Sequence, residues 1–248
     1  GLIYSATLKL KKIDNEKIDQ EIYEFKNFEN FFALTDKAKK FDYNVFWIDY
    51  FNKDKLVGLC YLGRDSMKKE NTRLYSFNFK YLSYLTFLIL RFIYSNYYMP
   101  KILNFFFRKF KKYFFRKICS YNDFFYPQDN IPYWNKIYGK KGFFQVQFLI
   151  PTKIFKIVMT QISDFFISNK IYSPFIILKK IDEKGHYLNF SGKGYSISFD
   201  FPINEKYEIL SNFLITLFDK HKLKVNFTKD IITNKSNADA YKQFKNFQ

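Results

Sequence analysis

Two glutamines separated by one residue, Gln145 and Gln147, stand in the segment Gly142-Phe143-Phe144-Gln145-Val146-Gln147-Phe148-Leu149-Ile150-Pro151. On a β-strand, residues two apart project from the same face. Both amides therefore leave one side, while Phe144, Val146 and Phe148 leave the other, apolar side. A buried amide without a partner costs about 1–3 kcal/mol. A hydroxyl-rich ligand would supply partners, and so would water on a solvated sheet face. Ser196, Ser198 and Asp200 repeat the pattern on a second strand, with Tyr195, Ile197, Phe199 and Phe201 on its opposite side. Lys179 ends the apolar run Phe175-Ile176-Ile177-Leu178, and Lys229-Asp230 follows the last expected strand. A lysine at a strand end offers positive charge to negative charge developing on a reduced cofactor. In a Lys-rich protein either lysine is equally well a solvated surface residue.

Other chemistry is poorly represented. The cysteines, Cys60 and Cys119, lie far apart without a paired metal or redox spacing. The histidines, His186 and His221, sit in polar or basic segments without ligand spacing, so neither a metal site nor a Cys–His nucleophile is expected.

The elements that must position these residues follow from periodicity. Gly1 to Leu10 alternates apolar and polar residues like a strand, and it begins without Met. An edge strand needs neighbours, so the expectation is a chain cut from something longer. Ile18 to Lys40 reads as a helix, 43–50 and 56–62 as a hairpin around Asn52-Lys53-Asp54, and 142–151 as a strand closed by proline. A helix capped by Thr152 runs to about Ser168, followed by a strand 175–181, a turn around 182–185 and a strand 195–201. A helix 205–220 and a strand 224–228 complete the series. The fold class expected is α+β, an antiparallel sheet covered by helices, with a basic aromatic helical insert over 81–117.

That insert carries its own signal. No acidic residue occurs between Glu70 and Asp123, and the run 81–90 is apolar for ten residues before Arg91. A span needs about 20. From Lys101 onward Leu103, Phe106, Phe110 and Tyr113 recur at helical spacing, with Arg108, Lys112 and Arg116 on a different face. Such a helix either lies on an anionic membrane surface or docks on the core with a solvated cationic face. The chain as a whole carries 41 Lys and Arg against 23 Asp and Glu, a formal net charge of +18. Anionic partners follow, but phosphates, nucleic acid and acidic lipids all fit. The accompanying skew to Phe, Tyr, Lys, Asn and Ile is what A/T-rich codon usage produces, so the charge is not all selected for binding.

Beyond periodicity, the chain resembles the C-terminal half of the decaprenylphosphoryl-β-D-ribose oxidase family, among the vanillyl-alcohol-oxidase-like flavoproteins that include the aldonolactone oxidases. The residues that carry the resemblance are Phe124-Phe125-Tyr126-Pro127-Gln128-Asp129, Trp134-Asn135-Lys136-Ile137-Tyr138-Gly139, and Gly142 to Phe148 with Pro151. Trp47-Ile48-Asp49, Gly194-Tyr195, Asp200-Phe201-Pro202 and Thr228-Lys229-Asp230 support it. The resemblance implies that 1–12 closes an FAD-binding domain lying upstream and that 13–248 is a substrate or cap domain. It implies FAD as cofactor, and oxidation of the 2′-hydroxyl of a polyprenyl-phosphate-linked ribose, with a short-chain reductase acting on the keto product. In this reading Gln145, Gln147, Lys179, Ser196 and Ser198 bind substrate. Gln147 and Lys229 approach the flavin, and Lys229 is catalytic. The expected setting is cytoplasmic and peripheral at an anionic membrane, without nucleic acid, and the chain alone is expected to be inactive. Ser196 and Ser198 stand where family members carry Asn and Cys, Tyr195 where they carry Trp, Ile176 where they carry Asn, and Val146 where they carry Tyr. These departures leave the sugar and lipid open. Two alternatives remain beside this one: an aldonolactone or polyol oxidase, and a non-catalytic basic module binding membrane or nucleic acid.

Overall fold

A computed structural model describes residues 4–10, 12–13, 15–52, 54–67, 88–89, 91–93, 98–114, 117–130, 133–182, 190 and 192–229. Its centre is an antiparallel sheet of eight strands, β1 (Lys17–Phe25), β2 (Tyr43–Phe51), β3 (Leu56–Asp65), β4 (Ile118–Ser120), β5 (Phe143–Pro151), β6 (Ile176–Ile181), β7 (Gly194–Pro202) and β8 (Lys224–Val225). They lie in the order β4-β1-β3-β2-β6-β7-β5-β8. The expected α+β class, with helices on an antiparallel sheet, is therefore the observed one.

Alternation along each strand divides the sheet into two faces. On one face Phe46, Ile48, Cys60, Phe144, Val146, Phe148, Leu178, Ile197 and Phe199 are buried. Against them pack α1 (Phe28–Ala38), α4 (Phe155–Ser168) and α5 (Tyr207–His221), which contribute Phe31, Phe155, Ile162, Phe166, Leu214 and Phe218. Aromatic rings fill much of this layer. Phe31 stacks on Phe155 at 5.3 Å, and Phe148 meets Phe218 at 4.8 Å. Twelve of the 34 phenylalanines are buried in this one core. Gly58 is needed where β3 pairs with β2 opposite Ile48, since a Cβ there would lie 2.1 Å from the Trp47 carbonyl oxygen.

The segment 18–40 departs from the expected single helix. Lys17–Phe25 is a strand paired on both sides, with β3 and with β4. The helix begins only at Phe28, where the Asn27 side chain accepts the Asn30 N–H at 2.7 Å. Ile18 and Ile22 alternate with Tyr23 and Phe25, a period of two that a helical count over Ile22, Phe25 and Phe28 absorbs. Asn27, a strong N-cap, is the signal that separates the two elements. Residues 4–10 carry no strand. Tyr4, Leu8 and Leu10 are exposed, and none of the eight strands pairs with them. Thr152 opens a short 3-10 turn rather than capping α4, which starts at Phe155 without a side-chain cap. The last strand is two residues long instead of five: the Asn226 N–H still donates to the Gln147 carbonyl at 2.8 Å, and the chain turns at Phe227 and Thr228.

Within the insert, α2 (Met99–Phe114) is the expected helix; 81–87, 90, 94–97 and 115–116 lie outside the described residues. Its orientation differs from the expected one. Arg108 does not lie on a solvated face: its side chain is 12% exposed and is turned onto the sheet. No helix among the described residues is long and apolar enough to cross a membrane.

Candidate functional site

The second face of the sheet, away from the three core helices, carries the polar residues. The register of β5 on β7 sets Gln145 opposite Asp200, Gln147 opposite Ser198 and Leu149 opposite Ser196. The register of β7 on β6 then sets Ser198 opposite Ile177 and Ser196 opposite Lys179. On β5, Val225 lies opposite Phe148, which brings Asn226, the next residue, alongside Gln147. Gln145, Gln147, Ser196, Ser198 and Lys179 consequently share one surface, although they come from three strands separated by up to 53 positions in the chain.

These groups are organised by hydrogen bonds among themselves. Gln145 Nε2 donates to Asp200 Oδ1 at 2.6 Å, and Tyr138 Oη donates to Asp200 Oδ2 at 3.4 Å. Gln147 Nε2 donates to Ser196 Oγ at 2.9 Å, a diagonal contact of the kind that links neighbouring strands. Asn226 Nδ2 donates to Gln147 Oε1 at 2.6 Å, and the Asn226 backbone N–H donates to the Gln147 carbonyl at 2.8 Å. Asn226 Oδ1 in turn accepts from the backbone N–H and the hydroxyl of Thr228. The two glutamine amides are therefore satisfied by protein partners and do not require a ligand to justify their burial. What the lattice does is fix their rotamers. Asp200 and Ser196 are each 3% exposed, whereas Gln145, Gln147 and Ser198 are half-buried and face outward.

The lysines stand at opposite borders. Lys179 is exposed on β6, beside Ser196. Lys229 is exposed beyond β8, where its backbone N–H donates to the Asn226 carbonyl at 3.2 Å. Three strand spacings, about 14 Å, separate β6 from β8. The structure thus brings together the glutamines and serines, while Lys179 and Lys229 flank them rather than meeting. Asp230 lies outside the described residues.

Three further features bound the row. The segment 134–138 covers the Gln145 end, where Tyr138 stacks on Phe143 at 4.6 Å and Trp134 meets Phe143 at 5.5 Å. α2 covers β2, with Phe107 edge-on to Trp47 at 5.6 Å. Between them, Asn104 of α2 donates to the Tyr172 hydroxyl, immediately before Ser173, whose Oγ accepts the Asp200 N–H at 3.1 Å. Arg108 Nε donates to Asp49 Oδ2 and its Nη1 donates to Glu24 Oε1, both at 2.6 Å. Burial raises the Asp49 pKa above the ordinary carboxylate value, and hydrogen bonding and charge from Arg108 only partly offset it.

Sequence reasoning did not select Asn226, Tyr138 or the Glu24–Arg108–Asp49 triad. Asp49 had a visible signal, a carboxylate in the apolar strand Val45-Phe46-Trp47-Ile48. Its partner had none, because Arg108 sits on a helix rich in similar cations. Cys60 and Cys119 are buried free thiols whose pKa values burial pushes up to about 12, which removes them from nucleophilic work. His221 bonds Gln161 at 2.8 Å on the helical side, and His186 lies outside the described residues.

Chemically, the row is a set of oriented amide, hydroxyl and carboxylate groups suited to reading hydroxyls. None of its side chains undergoes oxidation–reduction under ordinary conditions, so a redox reaction there draws on a cofactor. The corner formed by Gln147, Asn226 and the exposed Lys229 has a donor set that fits the electron-rich edge of an isoalloxazine ring. No protein-family model matches this chain, and none of the curated proteins matches it.

Proposed function

We propose that the row from Gln145 to Asn226 is the substrate wall of an FAD-dependent oxidoreductase that oxidises a sugar hydroxyl, the 2′-hydroxyl of a polyprenyl-phosphate-linked ribose. The observation that supports this most directly is the hydrogen-bonded lattice Gln145–Asp200 and Ser196–Gln147–Asn226 on the sheet face opposite the helical core. Two amides held at fixed spacing beside Ser198 match the alternating donors and acceptors of adjacent ring hydroxyls.

In this reading a bound FAD would supply the hydride acceptor for the carbon bearing the hydroxyl, while the hydroxyl proton passes to solvent water. The protein's own residues orient and polarise. Gln147 holds the sugar at the reacting end, and its rotamer is set by Ser196 and Asn226. Gln145 and Ser198 hold neighbouring hydroxyls. Lys179 faces the anionic side of the substrate from the β6 border. Lys229 offers its ammonium where negative charge grows as the cofactor is reduced. A short-chain reductase acting on the keto product completes the epimerisation to arabinose. A lipid-linked substrate places the working protein at the edge of an anionic membrane, on the cytoplasmic side.

The test uses the native gene product with all the sequence it naturally carries. FAD co-purifies, and anaerobic addition of the lipid-linked ribose bleaches its visible absorption. Lys229→Ala slows that bleaching. A preparation that neither holds flavin nor gains absorbance on titration with FAD overturns the proposal. A free aldonolactone added in the same assay separates the two oxidase substrates.

A further inference from the structure

A surface helix ordinarily turns its apolar stripe to the core and its charges to water. α2 mixes the two, with Phe107 packed on Trp47 yet polar groups also turned inward. Asn104 is 5% exposed and Arg108 is the second polar residue on the same inward face, one turn along. Both are engaged there, Asn104 with Tyr172 and Arg108 with Asp49 and Glu24. Charge-assisted bonds of this kind are strong and directional. They prevent the helix from rolling about its axis, and so they hold the opposite stripe outward.

That outward stripe is aromatic. Ile102 is 56% exposed, Phe105 46%, Phe106 51% and Phe110 47%. Phe106 stacks on Phe110 at 6.4 Å and meets Phe105 edge-on at 5.7 Å, so the rings form one continuous patch. Lys109 rises among them with its ammonium 5.6 Å from the Phe105 ring centroid. Lys109 is an exposed cation among these rings, Lys101 lies within electrostatic reach of Asp49 on the inward side, and no acidic residue lies between Glu70 and Asp123.

We propose that the outward face of α2 is a docking surface for an anionic lipid bilayer, with Ile102, Phe105, Phe106 and Phe110 entering the headgroup layer and Lys109 meeting lipid phosphate. Aromatic and aliphatic side chains interleaved with lysine are what an interfacial helix presents. At 16 residues, α2 is about 24 Å long and lies flat rather than spanning. Charge complementarity selects this occupant. A second copy would set two acid-free, lysine-bearing helices against each other in a protein of net charge +18. Lysine stems extend past the rings and reach phosphate while the rings stay in the apolar layer. The inference rests on the membrane part of the proposed function and not on its flavin chemistry.

Vesicle flotation tests it. Wild type floats with vesicles of phosphatidylglycerol and phosphatidylcholine, far less with phosphatidylcholine alone, and binding weakens as salt rises. Ile102→Ser with Phe106→Ser lowers the apparent affinity about a hundredfold, from the loss of two buried apolar side chains. Lys109→Glu lowers it severalfold. Both variants change exposed residues and keep the wild-type circular dichroism. Equal binding to neutral vesicles, undiminished binding by the double variant, or loss of a dimer or of nucleic-acid binding in its place overturns the assignment. Flavin reduction by a detergent-dispersed substrate stays at the wild-type rate in the double variant, so failure of this inference and failure of the redox reading are distinguishable.

Discussion

Arg108 Nε lies 2.6 Å from Asp49 Oδ2, joining the helix of the basic segment to the strand that carries Trp47. The Asp49 side chain is 5% exposed, and the second carboxylate, Glu24, meets the same guanidinium. One guanidinium therefore bridges two acids from different strands and ties α2 to the sheet.

Removing that cation should be costly. Arg108→Ala strands Asp49 in a buried position, and breaking such a pair costs about 3–5 kcal/mol. Urea unfolding should show the midpoint falling accordingly. Adding Asp49→Asn to Arg108→Met should recover part of the loss, because the uncompensated charge is gone. If Arg108→Ala unfolds at the wild-type midpoint, the triad contributes nothing net.

The pH dependence has a definite sign at His221. Burial, then the charge of Lys220, lowers its pKa from the ordinary value of 6.5. The folded ring thus gives up its proton more readily than the unfolded one. Its contribution to stability is present above the unfolded value and is lost as pH falls through 6.5 towards the lowered value. His221→Gln retains a partner for Gln161 and should flatten the thermal-stability profile in that window. An unchanged profile would remove His221 as its cause.

Both thiols should be inert while the protein is folded. With pKa values near 12 and burial, Cys60 and Cys119 are not expected to react with an aromatic disulfide reagent at mildly alkaline pH. Two equivalents should react once denaturant is added. Rapid labelling of the native protein would show that β3 or β4 opens readily.

The polar row allows substrate effects to be separated from stability effects. Gln147→Ala removes the link between Ser196 and Asn226 and should cost about 1–3 kcal/mol, read by unfolding. It should also weaken substrate binding. Lys229→Ala touches an exposed side chain and should leave stability within about 0.5 kcal/mol while slowing flavin reduction. A Lys229→Ala protein that reduces its flavin at the wild-type rate places that lysine outside the reaction.

In the core, Phe155 packs among Phe31, Phe28 and Tyr195, with the Tyr195 ring at 4.5 Å. Phe155→Ala should cost about 3–5 kcal/mol. Gly58→Ala should also be destabilising, since the new methyl meets the Trp47 carbonyl at 2.1 Å with no flexible side chain to yield. Both are read as shifts in thermal midpoint.

Local pattern was enough for the hairpin 43–65, for β5 to α5 and for the two-faced character of Gln145/Gln147 and Ser196/Ser198/Asp200, because strand alternation is a nearest-neighbour property that needs no partner to be visible. It misjudged Lys17–Phe25, where two periodicities overlap and pairing with β3 and β4 decides for the strand. It could not assign partners either. That Gln147 meets Ser196 and Asn226, that Lys179 and Lys229 stand on opposite borders, and that Arg108 faces inward all follow from register and packing between segments far apart in the chain. Amide, hydroxyl and guanidinium groups reveal their acceptors only when the chain has folded, because hydrogen bonding depends on distance in space and carries no imprint on the order of residues.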